Sequence, residues 1–133
     1  MNKIVEMRKA IGAFLLTLHS DVHYQVVSKG AAPLHVVFDF TNSIDDGSME
    51  RFVLEVDGWD SRTDLNTIPL ENMMYAIDGD GDRVNPTGLH RKTFTLDGLG
   101  FVIYRENRIN LFDENPLIRR RKYIYQIRTF VGG

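Results

Sequence analysis

The stretch YAIDGDGDRVNP carries three carboxylates at alternate positions, Asp78, Asp80 and Asp82, with glycines between them. An EF-hand calcium loop begins with these residue types, because it places oxygen ligands at its positions 1, 3, 5 and 12 and a glycine at position 6. Here the sixth position is Arg83 and the twelfth is Leu89. A cation therefore replaces the turn glycine and the bidentate carboxylate is missing, so the pattern favours an acidic surface turn over a calcium site.

Nucleophilic and metal-dependent catalysis find no support in the sequence. The chain has no cysteine, which excludes disulfides, thiolate zinc sites and a thiol nucleophile. His19 and His23 are four residues apart, but the Ser20-Asp21 break between them argues against a shared helical face. No serine stands in a G-x-S-x-G elbow, and no H-E-x-x-H or phosphate-loop motif is present. An enzyme would therefore need a constellation of residues that these motifs do not include, and no cofactor is predicted.

A basic run, Arg119 to Lys122, precedes the aromatic residues Tyr123 and Tyr125. Cations that hold phosphates beside rings that stack on bases are typical of a nucleic-acid patch. The run leads into a predicted strand, however, where successive side chains point to opposite faces. A contact with another subunit or partner therefore competes with nucleic-acid binding as the interpretation. Trp59, which is followed by a polar run, is a candidate anchor for a partner.

Composition predicts one globular domain over residues 1–133, since 43% of the residues are hydrophobic and 26% are charged. The net charge of -2 supplies no field that favours nucleic acid or an anionic membrane. Glu6, Arg8 and Lys9 interrupt the apolar residues of the first segment, which favours a helix over a signal peptide. Without an apolar run of about 20 residues, we expect no membrane span and synthesis in a cytoplasm.

Two helices are predicted from apolar residues at spacings of three and four. The first extends from about Asn2 to His19 and carries an apolar stripe, formed by Ile4, Met7, Ile11, Phe14, Leu15 and Leu18. The second is short, with Asn66 or Thr67 as its cap and Pro69 in its first turn. Its apolar face consists of Leu70, Met73, Met74 and Ile77.

Strands are predicted where β-branched and aromatic residues alternate with polar ones. The segments are VHYQVVS, LHVVFDFT, RFVLEVDGW, RKTFTL, GFVIYRE and KYIYQIRTF. The stretch NSIDDGSM has the composition of a loop, longer than a usual hairpin connection, that would project from the body. The order predicts an α+β fold: a mostly antiparallel sheet of four to five strands, with an N-terminal helix and a short second helix packed on it.

Three stretches together resemble the tail terminator proteins of long-tailed bacteriophages, which are also called tail completion or tail-to-head joining proteins. These stretches are APLHVVFDF after the first helix, RFVLEVDGWDS before the second, and GLGFVIYRENRINLFDENPLIRRRKYIYQIRTF at the end. Pro33 before a hydrophobic strand, the strand ending near Trp59, and the turn DENPLIRRRKY before the last strand carry the match. The resemblance covers about residues 1–130, and the DGDGD loop departs from the family pattern.

The resemblance implies a structural virion protein, with no catalysis, at the head-proximal end of the tail. About six copies would form a homo-oligomeric ring that caps the tail tube and ends its polymerisation. The ring would contact the major tail tube protein and the head-completion protein, and DNA would pass through its bore without sequence-specific binding. A head-closure or neck connector protein is an alternative, because such a protein has a similar size and would also form a ring. A small calcium-binding or nucleic-acid-binding module is the remaining alternative.

A ring built from heterologous contacts needs two different complementary flanks on each subunit. We expect an acidic flank from Asp45 and Asp46, or from the aspartates of the DGDGD loop, to face a basic flank on the next copy. The residues predicted to contact a subunit or partner are Asp45, Asp46, Trp59, Arg119, Arg120 and Arg121. A bore that DNA traverses needs a lining that does not retain phosphates, and Asp78, Asp80 and Asp82 are the candidates for it.

Overall fold

The structure is a computed structural model that describes residues 2–27, 30–45 and 50–130. Its elements, in chain order, are two helices and six strands. They are α1 (Lys3–Leu18), β1 (Val22–Tyr24), β2 (Leu34–Asp45), β3 (Glu50–Asp60), α2 (Ile68–Asp78), β4 (Thr93–Leu96), β5 (Leu99–Phe112) and β6 (Arg119–Phe130). Among the described residues, no helix is both long and apolar enough to cross a membrane.

Both helices form where the apolar spacing predicts them. The Asn2 side chain caps α1 by accepting a hydrogen bond from the backbone N–H of Val5. Pro lies in the first turn of α2, and Gly79 ends the helix with φ 80°, a conformation that glycine adopts without strain. The apolar face of α2 is buried, and Met7, Ile11 and Leu15 of α1 are buried, whereas Ile4 of the predicted stripe is 40% exposed.

The six strands form one sheet in the order β1-β2-β3-β6-β5-β4. The α+β class is confirmed, but the prediction of four to five strands is wrong, and one pair, β1 with β2, is parallel. The segment VHYQVVS, predicted as a strand from its β-branched and aromatic residues, contributes a strand of only three residues. The remaining pairs are antiparallel.

The β2–β3 hairpin is longer than the sequence indicated. After a bulge between Phe40 and Asn42, β2 continues to Asp45, through residues whose composition had predicted a loop. Cross-strand pairing with β3 overrides the weak strand propensity of these polar residues. The rest of the segment that was predicted to project as a loop, residues 46–49, lies outside the described residues, as does the predicted contact residue Asp46.

One face of the sheet packs on the helices and forms the core. The inward residues predicted for β3, Phe52, Leu54 and Val56, are buried together with the apolar faces of α1 and α2. Gly58 permits a close approach of helix and sheet, because a Cβ at this position would lie 2.5 Å from the Sδ of Met74. The opposite face of the sheet carries the alternate, mostly polar residues and remains half-exposed.

Candidate functional site

Asp78 does not lie on an exposed turn. It ends α2 with 1% of its surface accessible, and its carboxylate is shared among three donors. One Oδ accepts a hydrogen bond of 2.9 Å from the hydroxyl of Tyr125, and the other accepts from Nη2 of Arg108 at 2.9 Å and from Nη1 of Arg105. A carboxylate enclosed in this way cannot line a bore, so the structure corrects that prediction for Asp78.

The Asp78 cluster joins three elements. Arg105 and Arg108 come from β5 on either side of its bulge, and Tyr125 lies directly across from Arg105 on β6. Burial, followed by the nearby Asp78 charge, raises the pKa of Tyr125 well above its usual value, so the phenol stays protonated and donates. A buried charge is costly unless it is paired and hydrogen-bonded. The cluster meets that requirement and ties the end of α2 to the centre of the sheet.

Asp80 and Asp82 are exposed, but their carboxylates bind the loop itself. Asp80 accepts hydrogen bonds from the backbone N–H groups of Asp82 and Thr87, and Asp82 accepts from those of Val84 and Asn85. The bond from Asp82 N–H is the main reason that the pKa of Asp80 is lowered. Asx turns of this kind order a loop without a metal. Within the described part of the chain, no group of three or more His, Asp and Glu side chains could hold a metal ion.

The basic run at the start of β6 divides between the two faces of the sheet. Arg119 donates to the backbone carbonyl of Arg62 at 2.8 Å and lies 3.3 Å from the carboxylate of Asp60. Arg121 donates to Glu71 of α2 at 2.6 Å. Arg120 points the other way. The three guanidinium groups therefore form no continuous basic patch, and each already has a partner within its own chain.

Asp60 is the acidic centre of the Arg119 contact. Its side chain is completely buried, and Arg62 binds it through both Nε and Nη2, at 2.9 and 2.7 Å. Burial by itself would raise the pKa of Asp60. The hydrogen bonds from Arg62 and the charge of Arg119 outweigh that effect and lower the pKa below its usual value.

The uncovered face of the sheet carries a stack that contains Trp59. The indole is half-buried between the His35 ring, parallel to it at 6.1 Å, and the Arg120 guanidinium, 3.9 Å from the ring centroid. Trp59 is thus held in place, which suits an anchor but does not identify a partner. Asp45 is exposed at the end of β2. The partner contacts predicted for Trp59 and Asp45 stay predictions.

Ion pairs across β3 and β6 neutralise the charges next to this stack. Lys122 lies 2.6 Å from Glu55 and 3.9 Å from Asp57, and Arg120 lies 3.6 Å from Asp57. Burial raises the pKa of Asp57 despite these two cations. The uncovered face is therefore polar, with charges that are largely satisfied within the subunit.

A cleft of about 490 Å³ beside β5 differs from the surfaces described so far. Its lining includes Arg83, His90, Arg91, Thr93, Tyr104 and Arg105. Neither Arg83 nor Arg91 has a carboxylate within 4.0 Å among residues 2–27, 30–45 and 50–130. Sequence patterns contain no signal for this cleft, because its arginines are separated along the chain and only the packing of the 79–92 segment on β5 brings them together.

Comparison with known proteins shows the fold. No protein-family model matches the chain, and no curated protein matches it. Twenty chains of solved structures match it. One belongs to a structure described as the virion of a native gene transfer agent particle, with a TM-score of 0.56 and 14% sequence identity over 97% of this chain and 92% of that one. Over 97% of its length the chain is thus similar in fold to a component of a gene transfer agent virion.

Proposed function

We propose that this protein is a structural virion component of a phage-like tail, and that it acts as the tail terminator. About six copies form a ring on the head-proximal end of the tail tube, stop the polymerisation of the tube and bind the head-completion protein. The observation that carries the proposal is the fold similarity over 97% of the chain to a chain of a gene transfer agent virion. The likeness of the three sequence stretches to tail terminators supports the same role.

The distribution of charge is consistent with a structural role. The buried carboxylates of Asp60 and Asp78 each bind arginines, and Asp78 also binds Tyr125, so both hold elements of the fold together. The exposed Asp80 and Asp82 remain the candidates for a bore lining, since carboxylates repel the phosphates of passing DNA. In this role the protein forms the wall of the bore, repels the phosphates of DNA and catalyses no reaction.

The native mass of the purified chain is the first test. We expect a closed ring of about six subunits, six times 15.3 kDa or about 92 kDa, in sedimentation and native mass spectrometry at high protein concentration. The mass should be unchanged by a calcium chelator, because the loop carboxylates are already bound to backbone N–H groups. A species that stays monomeric at every concentration would contradict the ring.

An assay of tail tube growth distinguishes a tail terminator from a head-closure protein of similar size. The chain is added to the polymerising tail tube protein of the same particle, and tube lengths are measured by electron microscopy. A terminator binds the growing end and shortens the tubes in proportion to its concentration. A ring that leaves tube length unchanged and binds only the head side would favour the head-closure alternative.

A further inference from the structure

The cleft beside β5 concentrates positive charge that the fold itself does not use. Arg83 is exposed, and Arg91 is half-exposed. Arg105, the third arginine in the lining, already binds Asp78. Unlike Arg119 to Arg121, the first two have no carboxylate partner among the described residues. A cleft with unpaired arginines in its wall is suited to an anionic group from outside the subunit.

The other polar groups in the cleft wall also donate hydrogen bonds. Nδ1 of His90 accepts the backbone N–H of Arg105 at 2.9 Å, which leaves the proton of the neutral ring on Nε2. Burial and the charge of Arg105 lower the pKa of His90, in agreement with a neutral ring. Thr93 and Tyr104 add hydroxyl groups, and no carboxylate lines this cleft. The lining therefore fits an oxyanion, and two guanidinium groups fit a carboxylate in particular.

The backbone holds Arg91 in an uncommon conformation. Its φ is 68°, a left-handed value that costs free energy for a residue with a side chain. The conformation is maintained because the backbone N–H of Arg91 donates to the carbonyl of Ile103 at 2.7 Å, and Ile103 donates back to Lys92 at 3.0 Å. The pairing with β5 thus fixes the position of Arg91 in the cleft wall.

The opposite edge of the sheet presents an acidic group without a cation. Asp39 of β2 lies directly across from Glu55, and like charges at such positions repel each other. Lys122 pairs with Glu55, whereas Asp39 accepts a hydrogen bond from Gln25 at 3.0 Å and has no cation within 4.0 Å in the described ranges. From Asp39 onward, β2 also extends beyond the residues that pair with β1.

We propose that the cleft between Arg83 and Arg91 receives the carboxylate of Asp39 from the next copy of this chain, so that opposite edges of the sheet meet around the ring. The inference rests on the proposed function, because a closed ring needs two different complementary flanks on each subunit. In this proposal the cleft, and not Arg119 to Arg121, is the basic flank, since those three arginines already have partners. The charge complementarity of the two edges identifies a second copy as the occupant.

A DNA phosphate is a poorer occupant of the same cleft. Asp80 lines the adjoining cleft together with Arg91 and Arg105. A duplex carries a phosphate about every 3.4 Å of helix axis on each strand, so its neighbouring phosphates would meet the carboxylates of Asp80 and Asp82. A single aspartate side chain carries one charge and avoids that repulsion.

The test is a charge exchange in the full-length protein. Arg91→Asp and Asp39→Arg are each expected to weaken ring assembly about tenfold or more in sedimentation equilibrium, because each places like charges in contact. The double variant should assemble within about threefold of the unchanged protein. Lys9→Glu, a reversal at an exposed site on α1 outside the cleft lining, serves as the matched control and should assemble normally. Urea unfolding checks that all variants are folded.

Each result has one meaning. Weakening by both single reversals and recovery in the double variant support the pairing. A ring that forms equally well with Arg91→Asp overturns the pairing but leaves the proposed ring intact. A protein that is monomeric without any substitution overturns the ring and the pairing together. If the reversal leaves assembly unchanged and instead abolishes the salt-dependent retardation of a short DNA duplex, the cleft binds phosphate and the pairing is wrong.

Discussion

Two groups of arginines in this protein differ in whether they pair with carboxylates of their own subunit. Arg119, Arg120 and Arg121 are adjacent in the sequence, yet each is bound to a different acidic residue of its own subunit. Arg83 and Arg91 are separated in the sequence, yet they line one cleft. A run of charge along a strand is divided between two faces, whereas a loop folded against a sheet gathers scattered charges. Charge density in a sequence is therefore a poor guide to which charges remain available.

The comparison predicts that substitutions within the internally bonded clusters reduce stability, and the largest effect is expected at Asp78. Asp78→Ala removes the acceptor of Tyr125, Arg105 and Arg108 and leaves their donors unpaired, at a cost of about 3–5 kcal/mol in the free energy of unfolding. Urea denaturation measures it. Asp97→Ala, at an exposed hairpin position, is the control and should change stability by less than about 0.5 kcal/mol. Equal losses in the two variants would contradict the clustering.

Arg119 provides the direct contrast with the cleft. Arg119→Ala removes an ion pair with the fully buried Asp60 and a hydrogen bond to the Arg62 carbonyl, so we expect a loss of about 1–3 kcal/mol. Arg83→Ala should cost less than about 0.5 kcal/mol, because Arg83 is exposed and unpaired among the described residues. Thermal or urea unfolding of the pair measures the difference. A larger loss of stability in Arg83→Ala than in Arg119→Ala would contradict the prediction that Arg119, and not Arg83, stabilises the fold.

A smaller effect is expected on the uncovered face of the sheet. Arg120→Gln removes the cation 3.9 Å from the centroid of the Trp59 ring and abolishes the ion pair of this residue with Asp57, at a cost of about 0.5–1 kcal/mol. The change should also alter the fluorescence of the single tryptophan. Arg128→Gln, whose cation lies 5.4 Å from the centroid of Tyr104, is the matched control. Unaltered Trp59 emission in Arg120→Gln would argue against the stack.

The finest distinction is the pH dependence of His90 in the cleft wall. In the folded protein the pKa of His90 lies below its usual value, and burial is the largest cause. The charges of Arg105, Arg91 and Arg108 lower this pKa further, whereas the charge of Asp78 raises it. The unfolded chain then binds the proton more readily. Stability from this group is complete above a pH of about 6.5 and is lost as the pH falls toward the folded pKa.

His90→Gln removes that titration, and its effect on the pH profile is measurable by urea unfolding. We expect the variant to lose less stability than the unchanged protein when the pH falls from about 7.5 to about 5.5. The carboxylates of Asp60 and Asp80, whose pKa values are lowered, titrate at more acidic pH and do not interfere in this range. Parallel pH profiles of the two proteins would show that His90 does not contribute to the pH dependence of stability.

Periodicity predicted most of the fold correctly. The helix predicted from Asn2 to His19 is α1, and the apolar residues assigned to α2 and to the inward face of β3 are buried. These predictions succeeded because the period of 3.6 or 2 reports which side chains face a core. β1 is shorter than the strand predicted from VHYQVVS, and the polar end of β2 was predicted as a loop because cross-strand pairing overrides composition.

The candidate site was much less accessible to sequence reasoning. Comparison with a calcium loop found two residues that do not fit, but it could not show that Asp78 would be buried against Tyr125 while Asp80 and Asp82 bind backbone N–H groups. Burial depends on which strand lies next to the end of α2. That information is carried by pairing between residues far apart in the chain.

The amino-acid sequence by itself determined the two helices, the inward faces of the long strands and the α+β class, because each follows from local periodicity and capping. Only the tertiary structure decided which charges are neutralised. Asp78 and Arg105, 27 residues apart, bind each other, and Arg83 and Arg91 meet in a cleft while Arg119 to Arg121 do not form a patch. The physical reason is that electrostatic pairing depends on distances in space, and those distances are set by strand order and by the packing of the 79–92 segment on β5.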